Sequence, residues 1–421
     1  MLPLVALLQL GVGDSIPRVS LAEALERATR LDPNYVQAMG QVASAEWIRR
    51  QSKLVFVLPS LTASVDATKY STAFFNIGTG LEQNTAVTGR LDARYELFSL
   101  RKFEDLSRTR AELESAEAGE VQARFRSALL TENAYYSVLA EQALTQVAAE
   151  RVRRAGEQLA VARARVLSGA AVQTDSLQLL LELTQAKVNR LREDAALEVA
   201  RLELGRRVGE PGPMDATPLD TLALPDLPIT LPQAIAMALE SGPEYRVARA
   251  NERAARALFR GRKSGYLPTL NLSASHSRFD DHFFPSGRTV SSITLGVVLT
   301  IWNNADREIQ LTEARVSQDV ARAVRQDLER AARPEVTAAY DAYTTAKAAV
   351  ELSSQALIVA QENFRVQETR YRSGATTILD LLDAQVSLSQ AQAGLVQAHF
   401  AARLARAGLE TILGTRLFPI N

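Results

Sequence analysis

The 421-residue sequence contains no cysteine, which excludes disulfides, thiolate metal sites, thiol nucleophiles and a lipid-modified N-terminal cysteine. It has no excess of either charge sign. With 48 basic and 48 acidic side chains the formal net charge is zero, so no global field draws the chain to nucleic acid, and no nucleic-acid partner is expected. The three histidines, His276, His282 and His399, are too scattered to suggest a metal site. Neither a G-x-x-x-x-G-K-[ST] loop, an H-E-x-x-H nor a G-x-S-x-G occurs, so no cofactor, metal or catalytic residue is expected. Long apolar runs are missing too. Beyond Met1–Gly13, which reads as a weak or truncated export signal within a leading segment 1–19, no stretch approaches the roughly 20 residues of a transmembrane helix. If the chain crosses a bilayer, strands must do it.

What the sequence does have is a copy of itself. Ser20-Leu21-Ala22-Glu23-Ala24-Leu25, followed by Asp32-Pro33-Asn34-Tyr35, returns as Thr230-Leu231-Pro232-Gln233-Ala234-Ile235, followed by Gly242-Pro243-Glu244-Tyr245. Leu58-Pro59 returns as Leu267-Pro268, Leu97-Phe98 as Ile301-Trp302, and Ser168-Gly169-Ala170 as Ser373-Gly374-Ala375. The offsets stay between 204 (301 − 97) and 210 (243 − 33), which marks two homologous halves rather than a solenoid. The halves are 20–208 and 230–414, joined by a Pro/Gly-rich connector 209–229 that cannot continue a helix, with a short tail 415–421.

Each half opens on a helical stretch, 21–57 and 231–264, interrupted by proline near its first turns and ended by Leu-Pro. A strand pair follows, 61–69 with 87–97 and 269–278 with 290–301. Then come a long Ala-rich helix, 104–167 or 304–371, a small Gly-containing turn, and a second helix, 174–207 or 376–413. At 1.5 Å per residue the long helices extend about 95 to 100 Å and their partners about 50 to 57 Å. The opening helix of each half would have to stack on the shorter one to match the length. Pro334 falls inside the second long helix, where a local kink is expected.

In 87–97, Val87, Gly89, Leu91, Ala93, Tyr95 and Leu97 alternate with Thr88, Arg90, Asp92, Arg94 and Glu96. Strands of about 9 to 11 residues with one apolar face suit a transmembrane barrel, although a half-buried soluble sheet has the same period. Phe98 and Trp302 would close the last strand of each pair at the membrane interface. The loops 70–86 and 279–289, with Phe74-Phe75 and Phe283-Phe284, would face the outside. Four strands cannot close a membrane barrel, whose smallest examples need about eight, so the chain is expected to oligomerise; three copies give twelve strands.

From Ser20 to Gly414 the layout resembles the TolC-like outer-membrane efflux proteins, and the run from Arg370 through Tyr371, Ser373, Gly374, Asp380 and Asp383 to Gln385 resembles the helix-turn-helix at the periplasmic end of such ducts. The resemblance implies a mainly α protein with a transmembrane β-barrel, a homotrimer whose α-helical tunnel is continued by a 12-stranded barrel in outer-membrane lipid. It also implies an exit duct that meets an inner-membrane pump through a periplasmic adaptor. Carried over by motif, Asp380 and Asp383 would form the pore constriction; residues i and i+3 share a helix face, and three copies would gather six carboxylates. The plainer account is two solvated acids on an exposed helix.

Thr174, Asp175 and Tyr371 would tie neighbouring helices into the closed state, with Thr174-Asp175 also readable as a helix N-cap. At Thr376 the sequence departs from the family, which has a further arginine tie there. The turns Ser168, Gly169, Ala170 and Ser373, Gly374, Ala375 would meet the adaptor, or simply reverse the chain. The rival from another class is a coiled-coil scaffold of the cell envelope with no pore.

Overall fold

The computed structural model describes residues 16–76, 80–218, 224–280 and 289–418. The leading segment as far as residue 15, the tip of the first strand pair, and Phe283, Phe284 and His282 lie outside the described residues. The chain forms two compact units, each drawn from both sequence halves: one from 1–37, 121–243 and 331–421, the other from 38–120 and 244–330. The two longest helices have residues in both units. They are α3, Leu100–Leu167, and α7, Asp306–Ser373, each of 68 residues; α7 stays helical through Pro334.

In the first unit, β1 (Arg18–Val19) leads into α1 (Leu21–Leu31), which Ser20 caps by accepting from the Glu23 N–H at 3.3 Å. Asp32 ends α1, and its Oδ1 accepts from the N–H groups of Asn34 and Tyr35, starting α2 (Pro33–Leu54) with proline in its first position. The proline that interrupts the opening stretch thus divides it into two helices. The second half repeats the device: α5 (Leu231–Ser241) begins with a Thr230/Gln233 capping box, and α6 (Pro243–Lys263) follows the break at Gly242.

The connector pairs back in parallel as β4 (Asp215–Ala216), with Arg18 opposite Asp215 and Val19 opposite Ala216. Arg201 fixes Asp215 at 2.7 and 3.1 Å, and Gln142 adds a bond at 2.8 Å. Around it Val19, Leu21, Ala24, Leu25, Tyr135, Tyr136, Val138 and Leu204 make one core. A second core joins α5 to α8 (Ile378–Leu413) through Ala234, Ala238, Val336, Leu409 and Leu413. The third joins α3, α4 (Gln173–Val208), α7 and α8, next to the two hairpin turns.

The second unit holds an antiparallel sheet in the order β2-β3-β5-β6. Its strands are β2 (Ser60–Asn76), β3 (Leu81–Phe98), β5 (Thr269–Asp280) and β6 (Thr289–Val298). The strands of the first pair reach well past the expected ends. Phe74 and Phe75, placed by sequence in a loop, pair with Gln83 and Glu82 instead. Register sets the faces. Leu61 pairs Ala93, which pairs Ala274, which pairs Ile293; the next row on this face is Tyr95, Leu272 and Leu295. Ser64, Arg90 and Ser277, and Thr62, Asp92, Ser275 and Ser292, form rows of the opposite face.

The apolar face is open: Leu61 is 69% exposed, Ile293 79% and Val297 69%. Among the described residues β2 and β6 each have one neighbour, so both sheet edges are free. Below the strands, the Tyr95 hydroxyl donates to the Phe56 carbonyl at 2.5 Å, and buried Lys102 donates to the carbonyls of Val55 and Glu96.

The two aromatics expected at matching strand ends do not match. Phe98 is the last residue of β3 and pairs Leu270 after a register shift, whereas β6 stops at Val298, four residues before Trp302. Asn304 and Ala305 adopt positive φ there, and the chain turns into α7 instead of extending the strand. Both rings are exposed, at 53% and 70%.

Candidate functional site at the helical hairpin turns

The turns joining α3 to α4 and α7 to α8 are built alike. In the first, the Ala170 N–H donates to the Arg165 carbonyl at 2.8 Å and the Gly169 N–H to Val166 at 3.0 Å; in the second, Ala375 donates to Arg370 at 2.8 Å and Gly374 to Tyr371 at 3.1 Å. Gly169 and Gly374 have φ of +75° and +80°. These are paired 6→1 and 5→2 bonds around a left-handed residue, the arrangement that ends a helix where glycine is available. Ser168 and Ser373 each return a hydroxyl bond of 3.0 Å to the same carbonyls, those of Arg165 and Arg370. An arginine also caps each turn: Arg165 Nη2 donates to the Ala170 carbonyl at 3.3 Å and Arg370 Nη2 to Ala375 at 3.4 Å.

After the turns the two copies diverge. Val172 precedes α4 with no side-chain cap, so the expectation that Thr174-Asp175 supplies the N-cap does not hold: they occupy the second and third helical positions. At the corresponding place in the second half, 172 + 205, stands Thr377, which does cap α8. Its hydroxyl accepts from the Asp380 N–H at 3.3 Å, and the Asp380 carboxylate accepts from the Thr377 N–H at 3.1 Å and from the hydroxyls of Thr377 and Thr376 at 2.6 and 2.8 Å. These bonds, Thr377's hydroxyl first, hold the Asp380 carboxyl below the usual carboxylate range. Asp383, one helical turn on, is exposed, and its side chain makes no hydrogen bond or ion pair with any described residue.

Asp175 is the repeat mate of Asp380 (175 + 205) but has no capping task. It stands beside Tyr371 instead. Tyr371 is 3% exposed within the core of Leu159, Ala162, Leu179, Phe364, Ile378 and Leu381. Burial first, then the Asp175 carboxylate, push its hydroxyl pKa up. The Tyr371 hydroxyl is nevertheless left without a partner of good hydrogen-bond geometry, so the expected tie is present as proximity and charge rather than as a formed bond. The Thr174 hydroxyl is exposed and unbonded among the described residues.

Deeper in the same four helices, Glu182 on α4 is held by Arg151 of α3 at 2.8 Å and accepts from Gln385 of α8 at 3.2 Å. The residue that sequence reading missed is Arg165. Its guanidinium lies over the Tyr371 ring, 5.0 Å from the centroid, and donates to the Tyr371 carbonyl. A signal was available: Arg-x-x-Ser-Gly-Ala stands in both turns, at 165–170 and 370–375.

Known proteins share both the sequence pattern and the fold. Residues 234–415 match the family described as outer membrane efflux protein. The chain is 28% identical over 273 residues to the outer membrane efflux protein BepC of Brucella suis, covering 61% of this chain and 57% of BepC. To the probable efflux pump outer membrane protein TtgC of Pseudomonas putida it is 26% identical over 271 residues, 63% of this chain and 55% of TtgC. These matches span little more than half of each relative.

Among solved structures, the outer membrane protein VceC of Vibrio cholerae superposes with a TM-score of 0.77 at 20% identity, over 94% of this chain and 97% of VceC. The outer-membrane channel OprN gives 0.79 at 19% identity, over 95% and 91%. The fold is therefore the one seen in these outer-membrane channel structures, mainly α with a four-stranded antiparallel sheet. In sequence over residues 234–415, and in fold, the chain is thus similar to the outer membrane efflux proteins.

Proposed function

We propose that the chain is one of three identical protomers of an outer-membrane exit duct. The duct passively conducts substrates delivered by an inner-membrane pump, meets that pump through a periplasmic adaptor, and has no catalytic chemistry of its own. One observation carries the reading: a four-stranded sheet with an exposed apolar face and two free edges, on a chain with the fold of outer-membrane channels. Open edges are not tolerated in lipid, so closure has to come from further copies of the same sheet, β6 of one protomer joining β2 of the next. No helix among the described residues is long and apolar enough to cross a membrane, which leaves the strands to do so.

The hairpin turns are the adaptor-facing end in this account, and Asp380 and Asp383 the constriction. Both carboxylates are exposed on one face of α8. The bonds that keep Asp380 ionised favour a permanent negative charge there, as a cation-passing ring requires.

The test is fractionation followed by mass measurement in detergent. A particle of three chains from the outer-membrane fraction is the expected result. A monomer that stays soluble without detergent would favour the pore-free scaffold, whose sheet edges would then need another cover.

A further inference from the structure

We infer that Arg165 is the latch that holds the turn of the first helical hairpin to that of the second, and that its release lets the two turns part; its effect on flow rests on the duct reading above. Both turns carry an arginine that caps its own carbonyl, Ala170 for Arg165 and Ala375 for Arg370. Only Arg165 also crosses over. Its Nη1 donates to the Tyr371 carbonyl, and its Cζ lies over the Tyr371 ring, 5.0 Å from the centroid.

That carbonyl is already in use, accepting the Gly374 N–H that closes the second turn, so Arg165 grips the backbone on which that turn depends. The seat is also sterically prepared. A Cβ on Gly374 would stand 3.3 Å from Arg165 Nη2, so the glycine supplies room as well as its positive φ. The Asp175 carboxylate of α4 adds a negative charge near the Tyr371 hydroxyl. Two first-hairpin groups thus act on one second-hairpin tyrosine, a cation from α3 and an anion from α4.

Lysine would replace this arginine only in part, because a single ammonium lacks the separate Nη1 and Nη2 donors that reach the two carbonyls. A charge-assisted bond plus a ring contact at a half-buried site is enough to bias a two-state opening by about tenfold.

Two readouts on the full-length protein test the latch. In planar bilayers, Arg165→Ala is expected to raise the open probability or resting conductance by about tenfold, with Arg165→Lys between it and wild type. Should Arg165→Ala fail to assemble, Arg165→Lys is read alone, with a rise of about threefold expected. Hydrogen exchange supplies the crossed signature: Arg165→Ala speeds exchange at residues 371–375 on the opposite hairpin, whereas Arg370→Ala leaves 165–170 at the wild-type rate. Wild-type conductance in the Arg165 variants, or equal cross-effects of the two alanine substitutions, would overturn the latch and leave Arg165 a cap of its own turn. If wild type itself does not conduct, the duct reading fails, and the exchange experiment still decides the latch.

Discussion

Thr377 and Asp380 hold each other at the start of α8: the threonine hydroxyl donates to the carboxylate at 2.6 Å, and the same hydroxyl accepts from the aspartate N–H at 3.3 Å. Asp383 has no such engagement, so the two candidate constriction residues separate experimentally. Asp380→Ala is expected to speed exchange of the first-turn amides of α8 and to weaken cation selectivity. Asp383→Ala should change selectivity and leave those amides as they are. Thr377→Ala, with both acids intact, should cost about 1 kcal/mol of stability.

The same bonds set a pH dependence. Asp380 has a folded pKa below its ordinary 3.8, so its contribution is present above that value and is lost as pH falls through the lower, folded value. Melting of wild type and Asp380→Ala should therefore differ at neutral pH and converge in strong acid.

The two turn glycines make a matched pair. Gly169 has φ +75° and open space where a methyl group would stand, whereas Gly374 has φ +80° with Arg165 Nη2 3.3 Å from that point. Alanine at either should cost roughly 1–2 kcal/mol for the left-handed backbone. Gly374→Ala should in addition disturb the Arg165 contact, and its melting temperature should fall further than that of Gly169→Ala.

Away from the turns, Arg416 bridges two buried carboxylates, with Nη1 2.6 Å from Glu132 and 2.7 Å from Glu410. Removing it strands both charges. Arg416→Ala is expected to destabilise by about 3–5 kcal/mol, measured by thermal melting. Burial, ahead of the opposing Arg416 charge, raises the Glu132 pKa, so this group costs stability at neutral pH and the cost shrinks as pH falls through its folded value.

Tyr135 provides the alkaline counterpart. Burial pushes its hydroxyl up to about 12 from 10.0, and it donates to the Thr217 carbonyl at 2.6 Å. A raised folded pKa means that stability is whole below 10 and declines as pH climbs toward 12. Tyr135→Phe should remove that alkaline loss while weakening the protein at neutral pH, where its hydrogen bond is worth about 1 kcal/mol.

Much of this was legible in the sequence because duplication prints each device twice. Asp32-Pro33 and Gly242-Pro243 fall at breaks between consecutive helices, and Gly169 and Gly374 at positive-φ turns. What duplication hides is divergence between the copies. Asp175 and Asp380 share a repeat position, yet one stands by a tyrosine and the other caps a helix, because Val172 has no hydroxyl to match that of Thr377. Nor does periodicity reveal contacts between the hairpins, so Arg165 could be seen only as a repeated residue. Trp302 was misplaced for a local reason, since Asn304 and Ala305 turn the chain before the ring can close a strand.

The most direct test of the account is single-channel conductance of the purified protein in planar bilayers, comparing wild type with Asp380→Asn plus Asp383→Asn. A small cation-selective conductance that grows or loses its selectivity in the double variant is the expected result. A channel indifferent to both substitutions would contradict the constriction, and no channel from any preparation would contradict the duct.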